Sequence, residues 1–283
     1  MTLLMGAVAY DPKVVTIWEG FRRFLVDHGL PFDFILYSHY ERQAEDLVAG
    51  RIDAAWNSPL AWVRARRLAG AAGARLEALV MRDTDRDLRS VIVVRGGSGV
   101  ESLSGLDGAT VGVGAVDSPQ ATLLPLSLLR NHGLAAGTNL TIRRFDVGVG
   151  LHGDHVGGER DAARALIAGE VDAACMIDAS HLLFAREGLF TASSTRIIAE
   201  TEPYDHCNMT TGPSADPVLA ARFRELLLGM SYEDAELRSL LDLEGLKTWR
   251  PGRTSGYQAL ESAVDEARFY GEDGALLADD YRP

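Results

Sequence analysis

With 283 residues, 47% of them apolar and 24% charged, the chain has the composition of a globular protein long enough for two lobes of ordinary size. Its formal charge of −12 argues against nonspecific binding to nucleic acid or anionic membrane, so an anionic ligand would have to be drawn by local features. No apolar run approaches the ~20 residues of a membrane helix, and the two cysteines, Cys175 and Cys207, lack zinc-knuckle or redox spacing.

The chain opens on an apolar strand, Leu3–Ala9, with no basic leader before it, which predicts a cytoplasmic protein. An amphipathic helix over Val14–His28, a strand over Phe32–Tyr37, a helix over Glu41–Ala49 and a short strand over Ile52–Trp56 follow. Ser58-Pro59 has cap and first-turn character for a helix to about Leu68. Strands Leu76–Met81 and Ser90–Val94 flank a charged run, Arg82–Arg89, read as a solvated, self-paired connection. A strand over Ala109–Val113 and a second Ser-Pro start, Ser118-Pro119, lead into a helix ending near Asn131. Strand Thr141–Val147, a Gly- and His-rich loop, helix Asp161–Ala168 and strand Val171–Ile177 come next. Strand Arg196–Glu200 is expected to cross back into the first lobe, and the chain beyond Pro217 is mostly helical. The alternation of strands and helices predicts parallel sheets covered on both faces.

One segment occurs twice. Ala44 to Ala55, reading AEDLVAGRIDAA, returns from Ala163 to Ala174 as ARALIAGEVDAA. Each copy reads as a helix end, a glycine in the left-handed position and the start of an apolar strand. Two copies are too few for a solenoid and fit equivalent elements of two similar lobes facing a cleft.

The stretch Leu88–Val111 (LRSVIVVRGGSGVESLSGLDGATV), the helix start Asp117–Pro125 (DSPQATLLP) and the segment Gly50–Leu60 (GRIDAAWNSPL) together resemble type II periplasmic-binding proteins. They are most similar to the phosphate/phosphite/phosphonate-binding branch, over roughly residues 3–270. The resemblance implies an α/β, two-lobed fold with an interlobe ligand cleft. Residues 1–90 and 195–283 would form one discontinuous lobe and residues 91–194 the other. Pro119 and Gln120 stand where this branch carries hydroxyls, leaving Ser118 and Thr122, and proline removes one N–H donor.

Candidate ligand contacts are Tyr10, Asn57 and Asp178 at strand ends, Ser58, Ser118, Gln120 and Thr122 at helix starts, His152 and His155 in the glycine-rich loop, and Tyr204 and His206 on the return crossover. His152, His155 and His206 are the candidate ligands of a divalent metal, the one cofactor considered. Adjacent side chains on an extended segment diverge, so His206 and Cys207 are not expected to meet. Two readings remain open. One is a binding module that closes on a small polar molecule, anionic or carbonyl-containing. The other is an enzyme on the same fold, of the lyase or decarboxylase type its relatives include, with His155, His206, Glu159 and Cys207 as catalytic groups. The partner in both is a small molecule, with neither nucleic acid nor membrane insertion expected.

Overall fold

The computed structural model describes residues 1–146 and 156–283. The first lobe begins with β1 (Leu3–Val8), α1 (Lys13–Asp27), β2 (Phe32–Tyr37), α2 (Tyr40–Val48), β3 (Ala54–Asn57), α3 (Pro59–Ala71) and β4 (Glu77–Arg82). The second holds β5 (Ser90–Arg95), β6 (Thr110–Val113), α4 (Leu124–Asn131), β7 (Thr141–Arg144), α5 (Val156–Ala168), β8 (Ala173–Ile177), α6 (Asp178–Arg186) and β9 (Thr195–Glu200). The chain then returns through β10 (Asn208–Thr211), α7 (Pro217–Leu228), α8 (Ala235–Glu244), β11 (Trp249–Pro251) and α9 (Gln258–Glu266).

Each lobe is built on one sheet, of order β11-β4-β10-β3-β1-β2 in the first and β7-β6-β8-β5-β9 in the second. Both are mixed rather than parallel. β10 runs antiparallel to β3 and β4, and β5 runs antiparallel to β8 and β9, because these strands enter their sheets directly from a crossover instead of through a covering helix. β9 pairs with β5 and so belongs to the second lobe; the return into the first is made by β10. Apolar side chains of α1, α7 and α8 pack on one face of the first sheet, where Trp18, Trp56 and Trp249 meet edge to face. A separate cluster joins Leu60 and Trp62 of α3, Leu123 and Leu124 of the second lobe, and Tyr257, Leu260 and Val264 around α9. The C-terminal helix therefore braces both lobes.

The duplicated segment does the same work twice. Gly50 and Gly169 take φ of 71° and 76°, the left-handed position that ends a helix. Asp53 then bonds Leu4 twice, its carboxylate accepting the Leu4 amide at 2.9 Å and its own amide donating to the Leu4 carbonyl at 2.8 Å. Asp172 repeats both bonds with Thr110, each at 2.8 Å. The aspartates thus register β3 on β1 and β8 on β6. Asp53 is half-buried and Asp172 exposed, so unequal costs are expected. Asp53→Ala should lose about 1–2 kcal/mol in urea denaturation and Asp172→Ala about 0.5 kcal/mol. Equal losses would show that burial does not set the difference.

Candidate functional site

The crossovers 83–89 and 201–207 lie side by side. Leu88 and Tyr204 exchange both backbone hydrogen bonds at 2.9 Å, and Tyr204 sets its hydroxyl 3.1 Å from Ser90 Oγ. The charged run is self-paired, as expected, but only partly solvated. Asp85 is 1% exposed and receives Arg82 on both oxygens, at 2.7 and 2.8 Å. Burial would raise the Asp85 pKa, but the guanidinium outweighs it and holds the carboxyl at about 2. Arg82 also donates to the Glu244 carbonyl at 2.7 Å, which ties β4 to the end of α8.

A cavity of about 80 Å³ opens where the lobes face each other across these crossovers. The first lobe contributes Tyr10, Tyr40, Glu41, Trp56, Ser58 and Arg82, the second Asp117 and Pro119, the crossover His206 and Cys207, and the C-terminal segment Tyr270 and Tyr281. Ser58 Oγ accepts the Ala61 amide at 3.2 Å and Ser118 Oγ the Ala121 amide at 3.1 Å, so both Ser-Pro pairs cap their helices. The helix after Ser118 begins as a wide π-turn, with the Leu123 amide bonding the Ser118 carbonyl at 3.0 Å. One helix start per lobe thus flanks the cavity, each with a positive dipole end.

His206 supplies charge. Its Nδ1 lies 3.1 Å from Cys207 Sγ and 3.5 Å from Asp85 Oδ1. Burial disfavours the imidazolium, but the Cys207 sulfur and the Asp85 carboxylate favour it more, and its pKa rises to about 10. The two neighbours meet after all, because residues 205–207 belong to no strand, so strict side-chain alternation does not apply. The His206 backbone is held by a buried chain of hydrogen bonds. Gln43 donates to Asn57, Asn57 to Thr210, Thr210 to Asn208, Asn208 to Tyr257, and Tyr257 to the His206 carbonyl.

Of the residues expected to touch ligand, Tyr10, Ser58 and His206 line the cavity. Asn57 does not: it is 0% exposed and spends its amide inside the first lobe. Tyr204 is buried in the hinge, Thr122 donates to the Ala115 carbonyl at 2.7 Å, and Asp178 accepts the Ala179 amide at 2.7 Å at the start of α6. Ser118 and Gln120 are buried behind Asp117 and Pro119, which form the wall themselves. His152 and His155 lie outside the described residues. Sequence reasoning missed Tyr40, Glu41, Arg82, Asp117, Tyr270 and Tyr281 as site residues. Arg82 ends β4, the same strand-end logic that selected Asn57 and Asp178; for the C-terminal tyrosines the sequence holds no such signal.

Of the expected catalytic groups, His155 lies outside the described residues, and among the described ones no Cys–His–acid relay is formed. Cys207 and Asp85 both address Nδ1 of His206, whereas a relay needs sulfur and carboxylate on different ring nitrogens. Of the expected metal ligands, His152 and His155 lie outside the described residues, which leaves His206. Asp85, His206 and Cys207 bring three donor atoms within 4.8 Å, but the Arg82 guanidinium already takes both Asp85 oxygens and opposes a cation there.

Glu159, on the first turn of α5, is buried without a well-formed hydrogen bond among the described residues. Burial pushes its pKa up to about 7, against the opposing pull of Ser180, the Ile177 amide and Gln120. Its folded pKa lies above the ordinary value of 4.5, so ionisation costs stability as pH rises through 7 and costs nothing below 4.5. Glu159→Gln is therefore expected to stabilise the protein by about 1–3 kcal/mol at pH ~8 and to leave it unchanged near pH ~4. Urea titrations at the two pH values check this; an equal effect at both would exclude ionisation as the cause.

Two mixed-sheet lobes joined by paired crossovers, with a cavity lined from both, define a ligand-binding protein of the type II periplasmic-binding class. A family model described as an ABC transporter, phosphonate, periplasmic substrate-binding protein matches residues 7–257, and the chain belongs to that family. No curated protein sequence matches it. Among solved structures, PhnD1 of Prochlorococcus marinus in complex with methylphosphonate superposes with a TM-score of 0.68 at 15% identity, covering 94% of this chain and 98% of that one. XAC2383 of Xanthomonas citri bound to ATP gives 0.68 at 18%, with the same coverages. The aliphatic sulphonate binding protein SsuA of Escherichia coli gives 0.57 at 19%, covering 94% of this chain and 86% of that one. At these identities the likeness is one of fold.

Family membership corrects the cytoplasmic expectation and points to the periplasm. An apolar first strand is a property of the lobe, which is the same on either side of a membrane and does not report an address. No helix among the described residues is long and apolar enough to cross a membrane.

Proposed function

We propose that this chain captures a small organophosphorus oxyanion, of the short-chain alkylphosphonate type, for an ABC-class importer. The observation that carries the reading is the convergence on one cavity of the Ser58 helix start, the wall beside the Ser118 helix start, and the His206 imidazolium braced by Asp85. These groups offer N–H donors and positive charge to an oxyanion within a chain whose net charge is −12. A phosphonate can take a second ionisation that a sulfonate cannot, so a fixed cation favours it. The cavity of about 80 Å³ suits a headgroup with a short substituent. Binding from both walls favours the closed arrangement by its extra contacts there, which is how a ligand biases two lobes.

The test is calorimetric titration with methylphosphonate, inorganic phosphate, methanesulfonate and acetate. Methylphosphonate is expected to bind one-to-one and at least about tenfold more tightly than methanesulfonate, and at 100 times its Kd to add about 2.7 kcal/mol of stability. No binding of any phosphonate, with saturable binding of acetate, would refute the reading.

A further inference from the structure

The far wall of the cavity comes from an unexpected place. Beyond α9 the chain makes a tight turn at 270–276, where Tyr270 bridges Leu276 and Gly274 takes φ of 81°. Arg64 donates to the Gly274 carbonyl at 3.0 Å and Arg67 to the Tyr270 carbonyl at 2.7 Å, fastening this turn to α3 of the first lobe. The segment then crosses to the second lobe, where Asp280 pairs with Arg144 of β7. Directly after the second anchor, Tyr281 is 3% exposed, although Asp279, Asp280, Arg282 and Pro283 around it are all exposed. A single aromatic ring is thus inserted from a surface segment. It packs on Phe269 at 5.1 Å and lines the cavity with Tyr270, whose hydroxyl donates to Glu41 at 2.8 Å. Burial first, then Glu41 of the first lobe and Asp117 of the second, raise the Tyr281 pKa, so the ring lies where the lobes meet. Tyr10 and Tyr40, which also line the cavity, have Arg82 and Cys207 as neighbours.

We propose that the segment from Phe269 to Arg282 is a built-in wall of the ligand cavity, and that the inserted ring of Tyr281 sets the greatest length of substituent a ligand can carry. Its headgroup would lie toward the Arg82–His206 end and its substituent would run toward Tyr281. The proposal rests on the function proposed above for the identity of the headgroup, and on the described geometry alone for the wall.

The experiment compares methylphosphonate with n-butylphosphonate by calorimetry in wild type, Tyr281→Ala and Tyr281→Phe. Wild type and Tyr281→Phe are expected to prefer the methyl compound by at least about tenfold, and Tyr281→Ala to reduce that preference about tenfold or more. An unchanged preference in Tyr281→Ala, or none in wild type, overturns the wall. Should Tyr281→Ala fail to fold, Tyr281→Leu, which keeps an apolar contact with Phe269, takes its place. A wild type that binds neither compound contradicts the proposed function, and the wall is then read without any ligand. Cys207 lines the cavity while Cys175 is 0% exposed in the core of the second lobe. Alkylation of Cys207 by iodoacetamide should quicken about tenfold in Tyr281→Ala over wild type and Tyr281→Phe, with Cys175 unmodified. An unchanged Cys207 rate overturns the wall, and so does a rise that Cys175 shares, which reports unfolding in its place.

Discussion

Replacing Arg82 by alanine is expected to destabilise the protein by about 3–5 kcal/mol, the loss seen when one partner of a buried ion pair is removed. The guanidinium gives Asp85 two hydrogen bonds at 2.7 and 2.8 Å, gives the Glu244 carbonyl another, and lies 5.4 Å from the centre of the Trp56 ring. Alanine would leave Asp85 buried, with His206 as its remaining cationic neighbour and Glu244 close by. For a domain pair of this size each kcal/mol shifts Tm by about 2–4 °C, so a fall of about 10 °C is expected. The pH dependence gives a second handle. The folded Asp85 pKa of about 2 lies below the ordinary 3.8, so its stabilisation is present above 3.8 and lost as pH falls through 2. In Arg82→Ala that acid-dependent part should shrink, bringing the stabilities at pH ~7 and pH ~3 closer together. A loss under about 1 kcal/mol at pH ~7 would show that the crossover does not depend on this pair.

His206→Ala carries the largest expected effect on binding, a weakening of methylphosphonate by about 10–100-fold, the scale of one charged hydrogen bond. The folded His206 pKa of about 10 lies above the ordinary 6.5, so whatever stability its charge adds is complete below 6.5 and lost as pH rises through 10. The side chain therefore keeps its proton across the neutral range. The same factor is expected at pH ~6 and pH ~8, while titration within that window belongs to Glu159 and to the ligand's own second ionisation. A factor that collapses between those two pH values would mean that His206 titrates there and is not held charged by Asp85.

The lobes were legible in the sequence because their rules are local. A glycine after a helix, an aspartate opening a strand and a Ser-Pro pair before a helix each dictate backbone geometry within a few residues, and all of them recur in the two lobes. The antiparallel strands β5, β9 and β10 were not legible, since direction within a sheet depends on partners distant in the chain. Asn57 and Arg82 show the same limit at the site. Both end strands of the first sheet, yet Thr210 on a returning strand captures one inside the lobe, while Asp85 and Glu244 fix the other at the cavity. His206 and Cys207 were misjudged by applying strand alternation to a segment that is in no strand. Tyr281 had no readable signal at all, because only the folded path of the C-terminal segment brings it to Glu41.

Protection of Cys207 tests most directly whether a phosphonate enters this cavity. With increasing methylphosphonate, alkylation of Cys207 by iodoacetamide should slow in proportion to occupancy, and the concentration for half-protection should match the calorimetric Kd. Undiminished alkylation of Cys207 at saturating methylphosphonate would contradict the account, because the ligand would then be bound elsewhere or not at all.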